Sequence, residues 1–396
     1  MLKIQTLNKI DTEGLSLFPL DNYEIASEIP APDAIILRSF NMHNMQLPQT
    51  LKAIARAGAG VNNIPVDKCT QQGIVVFNTP GANANGVKEL VIAGLLLASR
   101  NISESIVWAK SLIGKGDEVP ALIEQGKNNF AGQEIYGKTL AVVGLGAIGV
   151  LVANAAQSLG MKVIGYDPYM SVKQALQLSN QVSFVNGIQS LLSQADYITL
   201  NIPLTPETKG YINKEKLGMM KKGVRLLNFA RGGLVDHAAL EEAIESGKVA
   251  RYVTDFPDES TLKMKNVISI PHLGASTLES ETNCAIMAVN QVKEFLEEGN
   301  IKNSVNFPEA HMERNGGDRI LIANQNIPNM VSQISSVLAS EGLNIDNMLN
   351  KKRDNIAYNI IDVTQSVINP GLAEKLKAIN GVFMVRIIQD EPGKQK

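Results

Sequence analysis

A chain of 396 residues is longer than one hydrophobic core usually grows, so two to four domains are expected. Hydrophobic residues at 44% and charged residues at 19% supply enough apolar surface for sizeable cores and exclude broad disorder. A net charge of −2 excludes a general polyanion or anionic-membrane surface, and two cysteines, Cys69 and Cys284, exclude a disulfide framework and most zinc clusters, so no metal, nucleic-acid or membrane partner is expected.

The opening stretch, MLKIQTLNKIDTEG, lacks the apolar run of a secretory leader, which together with the cysteine usage makes a cytoplasmic protein the expectation. Short apolar runs at 34–37, 51–57 and 74–77 alternate with helical stretches, the last of them at 88–98, and this rhythm predicts an α/β unit with a parallel sheet. A second series of strands is predicted at 139–143, 162–166, 197–202, 225–229, 252–255 and 267–270, as in a doubly wound domain. The run LAVVGLGAIGVLVA (140–153) is too short to cross a bilayer, which takes about 20 apolar residues. A helix over 280–298 is followed by a polar passage, 306–318, that reads as a linker. Beyond it the pattern becomes βαββαβ, with strands at 320–324, 345–350, 356–364 and 382–388, helices at 330–338 and 373–379, and turn residues Asp354 and Asn355.

The sharpest motif is Gly144-Leu145-Gly146-Ala147-Ile148-Gly149, which follows an apolar strand and opens a helical stretch. Its glycines permit a tight turn, let a pyrophosphate approach the backbone and let the helix pack on the strand, with the helix amino terminus facing the anion. The next strand ends at Asp167, 18 residues after Gly149, where a carboxylate accepts hydrogen bonds from an adenosine ribose. Asp167 repels a 2′-phosphate and neither Pro168 nor Tyr169 supplies a cation, so the expected cofactor is NAD rather than NADP.

Later strand ends place further groups on the carboxyl edge of the same sheet: Pro203 and Thr205, then Ala230 and Arg231, then Asp255, then His272 and Gly274. Four histidines bound any neutral-pH proton shuttle. His311 lies in the linker, His43 among turn residues, and His237 directly after Asp236, a plausible helix N-cap. His272 alone follows an apolar strand and precedes the small residues Gly274, Ala275 and Ser276, and it is the expected functional histidine.

Taken together, RAGAGVNNI (56–64), NTPGANANGVKEL (78–90), VVGLGAIG (142–149), GYDPY (165–169), NFARGGLVD (228–236) and IPHLGAST (270–277) resemble the D-isomer-specific 2-hydroxyacid dehydrogenases over about residues 1 to 305. The resemblance implies a discontinuous flavodoxin-like substrate domain (1–98 and 277–305), an inserted Rossmann-type NAD-binding domain (99–276), a linker (306–318) and a terminal domain (319–396) that looks like an ACT domain. It implies that Arg231 clamps the substrate carboxylate, that His272 takes the proton of the C2 hydroxyl, and that Glu259, or failing it Asp258, orients the imidazole and stabilises its charged form. Here the chain departs from the family's DVFxxEP, reading Asp255-Phe256-Pro257-Asp258-Glu259-Ser260, one residue shorter.

For a phosphorylated 2-hydroxy acid as substrate, the resemblance places Arg38, Ser39 and Arg56 at the phosphate end, Ala59, Gly60 and Val61 at the carboxylate, and Asn83 as a further amide. It also implies a homo-oligomer and an amino-acid effector at the terminal domain. At that domain Asn324-Gln325-Asn326-Ile327-Pro328-Asn329 replaces the HxNxPG turn of effector-sensing relatives. Asn326 and Asn344 remain to bind an amino acid, and a purely architectural domain is the alternative. Related dehydrogenases of unphosphorylated acids, and an NADH-sensing scaffold without turnover, are the competing functions; the presence of Arg231 and His272 argues against the scaffold.

Overall fold

Runs of β-branched and aliphatic residues too short for helices form three sheets in a computed structural model that describes residues 1–314, 316–364, 369 and 371–389. The chain divides into two compact units, Met1–Ala82 with Glu281–Lys396, and Asn83–Ser280. Asn315 of the expected linker, and residues 365–368, 370 and 390–396 of the expected terminal domain, lie outside the described residues.

In the first unit, β1 (Leu2–Leu7), β2 (Tyr23–Ala26), β3 (Ala34–Leu37), β4 (Ala53–Arg56) and β5 (Val75–Phe77) form a parallel sheet in the order β2-β1-β3-β4-β5. The strands β1 and β2 escape the sequence reading because polar residues alternate through LKIQTL and YEIA, leaving no continuous apolar run. The second unit holds β6 (Thr139–Val143), β7 (Lys162–Tyr166), β8 (Ser183–Phe184), β9 (Tyr197–Leu200), β10 (Val224–Asn228), β11 (Val249–Thr254) and β12 (Val267–Ser269). Their order is β12-β11-β10-β9-β6-β7-β8, all parallel, so the chain reverses its direction of winding between β6 and β9. Ligands of such sheets bind outside the strand carboxyl ends at that switch point.

The terminal segment forms β13 (Asp318–Gln325), β14 (Ile345–Arg353), β15 (Ile356–Val363) and β16 (Val382–Ile388), an antiparallel sheet in the order β14-β15-β13-β16. With helices Met330–Ser340 and Leu372–Lys377 the segment runs βαββαβ. Its inner face shares a core with the rest of the first unit, where Phe77, Val289, Phe295 and Phe307 meet Leu321, Tyr358 and Ile360.

The long helix Leu278–Glu298 ends against this sheet. A helix leaves its last carbonyls without internal donors, and here other chain segments supply them. Arg386 donates to the carbonyls of Phe295 and Leu296, Arg319 to that of Glu298, and the Tyr358 hydroxyl to that of Gly299 at 2.7 Å. The passage that reads as a polar linker begins buried: Asn306, Phe307 and Ala310 are enclosed, and the Asn306 side chain bonds Val76 N, Ile74 O and Thr70 Oγ1. Among the described residues no single helix is long and apolar enough to cross a membrane.

Candidate active site

The glycine-rich turn joins β6 to the helix Ala147–Ser158. A Cβ on Gly149 would sit 1.9 Å from the carbonyl oxygen of Gly144, so only glycine lets the helix start this close to the strand. At Gly146 the nearest atom to such a Cβ is Gln174 Nε2 at 3.9 Å, which leaves open space over the helix amino terminus formed by Ala147 and Ile148. Asp167, just past β7, accepts the Leu145 N–H through Oδ2 and the Tyr169 N–H through Oδ1, both at 2.8 Å. Each oxygen keeps a further lone pair for an outside donor such as a ribose hydroxyl. The residues therefore fit a dinucleotide: a glycine cradle, a helix amino terminus and a carboxylate fixed beside them.

The other strand ends of this sheet carry the remaining groups. After β9, the Pro203 to Thr208 turn is closed by Thr208 Oγ1, which donates to the Pro203 carbonyl at 2.7 Å and accepts the Thr205 N–H at 2.7 Å. After β10, the buried side chain of Asn228 accepts the Ala230 N–H and donates to the Arg231 carbonyl at 2.9 Å, shaping the loop that presents the exposed Arg231. After β11, Asp255 is fully buried; Oδ2 accepts the Gly274 N–H at 3.3 Å, and Oδ1 has no partner. After β12, His272 lies exposed with its ring against Phe256, centroids 4.5 Å apart.

Burial pushes the Asp255 carboxyl above the usual carboxylate range, opposed by the charges of His272 and Arg231. Asp255 thus feels both charges at the edge where the glycine turn also lies. Thr199 Oγ1 and Ser269 Oγ, on β9 and β12, are likewise buried without a partner.

The two acids expected in the proton shuttle, Glu259 and Asp258, have other partners in the structure. With one residue fewer in the loop, Asp258 becomes the N-cap of a short helix, Glu259–Lys263, accepting the Thr261 N–H at 2.8 Å. Its other oxygen pairs with His237 Nδ1 at 3.0 Å. Glu259 opens that helix, points outward and pairs with Lys263 four residues on at 2.5 Å. Neither acid is engaged with His272; the acid that feels its charge is Asp255. Sequence reasoning also missed Phe256, whose only signal is its place beside Asp255. His237 follows its predicted N-cap, Asp236, which accepts from Ala238 and Ala239.

The phosphate-end candidates lie in the first unit. Arg38 follows β3, and its Nη1 is 2.5 Å from Oε1 of Glu281, a residue the sequence reading did not single out. Arg56 ends the neighbouring strand β4, donating from Nε to the Arg38 carbonyl at 3.0 Å. Its guanidinium lies against Gly58, whose φ of +156° and lack of a Cβ the contact requires. The Ser39 N–H is held by Asn8, and the Ala59 carbonyl accepts from Asn78 at 2.7 Å, which fixes the turn through Gly60 and Val61. Asn83 belongs to the second unit, at the N-cap of the helix Ala84–Ser99, with its side chain making no cap bond.

Residues 92–274 match the family described as D-isomer specific 2-hydroxyacid dehydrogenase, NAD binding domain. This part of the chain is similar to the NAD-binding domain of that family. The chain is 37% identical over 306 residues to D-3-phosphoglycerate dehydrogenase of Methanocaldococcus jannaschii, covering 75% of this chain and 56% of that protein. The enzyme of the same name from Bacillus subtilis is 35% identical over 327 residues, covering 78% and 59%. The chain spans a little over half the length of these curated relatives. In structure it is similar to NAD+-bound 3-phosphoglycerate dehydrogenase of Entamoeba histolytica, with a TM-score of 0.60, 26% identity and coverage of 77% of this chain and 98% of that one. A glyoxylate reductase from Paecilomyes thermophila compares at a TM-score of 0.63 and 25% identity, covering 77% and 98%. The glycine turn, Arg231 and Asp255 fall inside the family's NAD-binding domain.

Proposed function

We propose that this chain is an NAD-dependent dehydrogenase that oxidises 3-phospho-D-glycerate to 3-phosphohydroxypyruvate, the entry step of serine synthesis. The observation that carries the reading is the placement of Arg231, Asp255 and His272 on the strand ends of the sheet whose glycine turn fits a dinucleotide. The names borne by the relatives support the substrate. NAD, when bound, supplies the hydride acceptor. Ala147, Ile148, Pro203, Thr205 and Ala230 line its path along the sheet edge, Asp167 takes the ribose hydroxyls, and Asp255 Oδ1 offers its unused lone pairs to an amide N–H.

In this reading Arg231 holds the substrate carboxylate through two parallel hydrogen bonds and polarises the reacting C2–O bond. His272 takes the C2 hydroxyl proton as the C2–H bond gives up its hydride, and returns it in the reverse direction. Its ring is steadied by Phe256, and Asp255 rather than Glu259 is the acid that its charge reaches. In the first unit Arg38 and Arg56 receive the phosphate, Ser39 assists, and the backbone of Ala59, Gly60 and Val61 is offered to the carboxylate; Asn83, in the second unit, offers an amide.

The strand order of the first sheet supports a flavodoxin-like substrate domain, and the βαββαβ order of the terminal segment supports an ACT-like one. There Asn324 is 1% exposed and its amide is committed to Asn359 at 2.7 Å and to the Gln325 carbonyl, which favours an architectural role over amino-acid sensing at that turn. A homo-oligomer is part of the same reading. The test is a panel of D-2-hydroxy acids with NAD and NADP, repeated with L-serine. Phosphoglycerate with NAD is expected to give the highest kcat/KM, with serine leaving the rate unchanged; oxidation of D-lactate with phosphoglycerate ignored would overturn the assignment.

A further inference from the structure

The ends of β3 and β4 carry a charge cluster whose composition does not match its expected load. Arg38 and Arg56 stand on adjacent parallel strands, tied to each other by the bond from Arg56 Nε to the Arg38 carbonyl. Against them Glu281, in the first turn of the helix Leu278–Glu298, sets its carboxylate 2.5 Å from Arg38 Nη1. The Arg38 and Glu281 side chains are 36% and 41% exposed, so an incoming anion has access to the pair. Beneath them the Cys284 thiol is buried; burial pushes it up, Arg38 and Arg56 pull it down, and Glu281 pushes it up again, which brings all three charges around one buried atom.

Two guanidiniums suit the two negative charges of a fully ionised phosphate. Glu281 cancels one of them and adds a like charge at the place where the phosphate must sit. We infer that Glu281 sets the affinity of the phosphate end: it occupies Arg38 until an anion with more charge than a carboxylate displaces it, and so weakens the hold on a phosphorylated 2-hydroxy acid without touching one whose far end is uncharged. The inference rests on the reading of Arg38 and Arg56 as the phosphate end.

An uncharged hydroxymethyl tail brings no charge to compete for Arg38, so the ion pair persists beside it. A phosphate brings two charges and a bidentate acceptor, turning Arg38 toward itself while Glu281 swings into water. The displacement costs the ion pair and leaves a carboxylate near the bound phosphate, so the phosphorylated acid alone bears the loss of affinity.

The experiment measures wild type and Glu281→Gln side by side on the full chain. The dissociation constant of 3-phosphoglycerate comes from calorimetry, and KM and kcat with NAD are determined for 3-phosphoglycerate and for D-glycerate, its unphosphorylated counterpart. Glutamine keeps the size and hydrogen-bonding reach of glutamate and removes the charge. Two phosphate charges about 6 Å from one carboxylate in a solvated setting correspond to roughly a five- to tenfold change, so Kd and KM for 3-phosphoglycerate are expected to fall by that factor. The change falls on KM rather than kcat, shrinks at high salt, and leaves the D-glycerate KM in place. Glu281→Ala is expected to do the same, which covers a glutamine that still bonds Arg38. An unchanged or raised phosphoglycerate Kd in both variants, or an equal shift for D-glycerate, overturns the role of Glu281 while the enzyme reading stands. Wild-type chain that neither binds nor oxidises phosphoglycerate overturns the substrate reading and this inference with it.

Discussion

Two buried polar clusters in this molecule differ in how completely they are satisfied. At the junction of the terminal sheet with the long helix, Arg319 is fully buried and uses all five of its N–H groups: Nε and Nη2 on Asp362, Nη1 on the Glu298 and Met312 carbonyls, and Nη2 again on the Glu313 carbonyl. At the carboxyl edge of the nucleotide sheet, Asp255 is as deeply buried and yet Oδ1 has no donor, with Thr199 and Ser269 hydroxyls nearby in the fold equally unserved. A buried polar group left unpaired costs stability, so the second cluster is held at a cost that the first does not carry. The first cluster is finished by the chain itself; the second keeps acceptors and hydroxyls that the chain does not serve.

The contrast can be broken most directly at the edge that lacks partners. His272→Ala is expected to lower kcat by about 10²–10⁴ while the thermal unfolding midpoint stays within about 2 °C; a normal turnover rate would remove the proton shuttle from the argument. Arg319→Met is the opposite probe. It leaves Asp362 buried without its cation, so chemical denaturation of the first unit should show a loss of about 3–5 kcal/mol, and Arg319→Met with Asp362→Leu should recover much of it.

Asp255→Asn separates the two ideas at a single residue. A carboxyl held above its ordinary value by burial is most stable protonated, so its contribution is intact below the unfolded-state value and is lost as pH rises through the raised one. The amide variant should therefore unfold at a higher temperature than wild type at pH 7, by about 1 kcal/mol, with the gain vanishing as pH falls through the carboxylate range, while NAD binds more weakly. The smallest effect is expected at Glu259→Gln, with kcat within about twofold of wild type and a measurable loss only in the exposed pair with Lys263.

What the sequence disclosed was what local spacing encodes. Gly144, Gly146, Gly149 and Asp167 stand a fixed number of residues apart and His272 stands at a strand end, so their placement was visible without a fold. The setting of Glu259 was not legible, because one missing residue converts a loop acid into the first residue of a helix, and only the capping geometry of Asp258 shows the change. Glu281, opposite Arg38, and Arg319, opposite Asp362, were invisible for another reason: their partners lie far along the chain, and nothing near either residue hints at the contact. The strands β1 and β2 were lost to their polar alternation, while the terminal βαββαβ order was legible from apolar runs and turns.

The end of the long helix carries a last consequence, for anyone who would shorten the chain. Because Arg386, Arg319 and Tyr358 serve the carbonyls of Phe295, Leu296, Glu298 and Gly299, the terminal segment works as a keystone rather than an appendage. A cut before Asp318 would strip donors from that helix end and open Phe77, Phe295 and Phe307 to water, unseating the first unit from within.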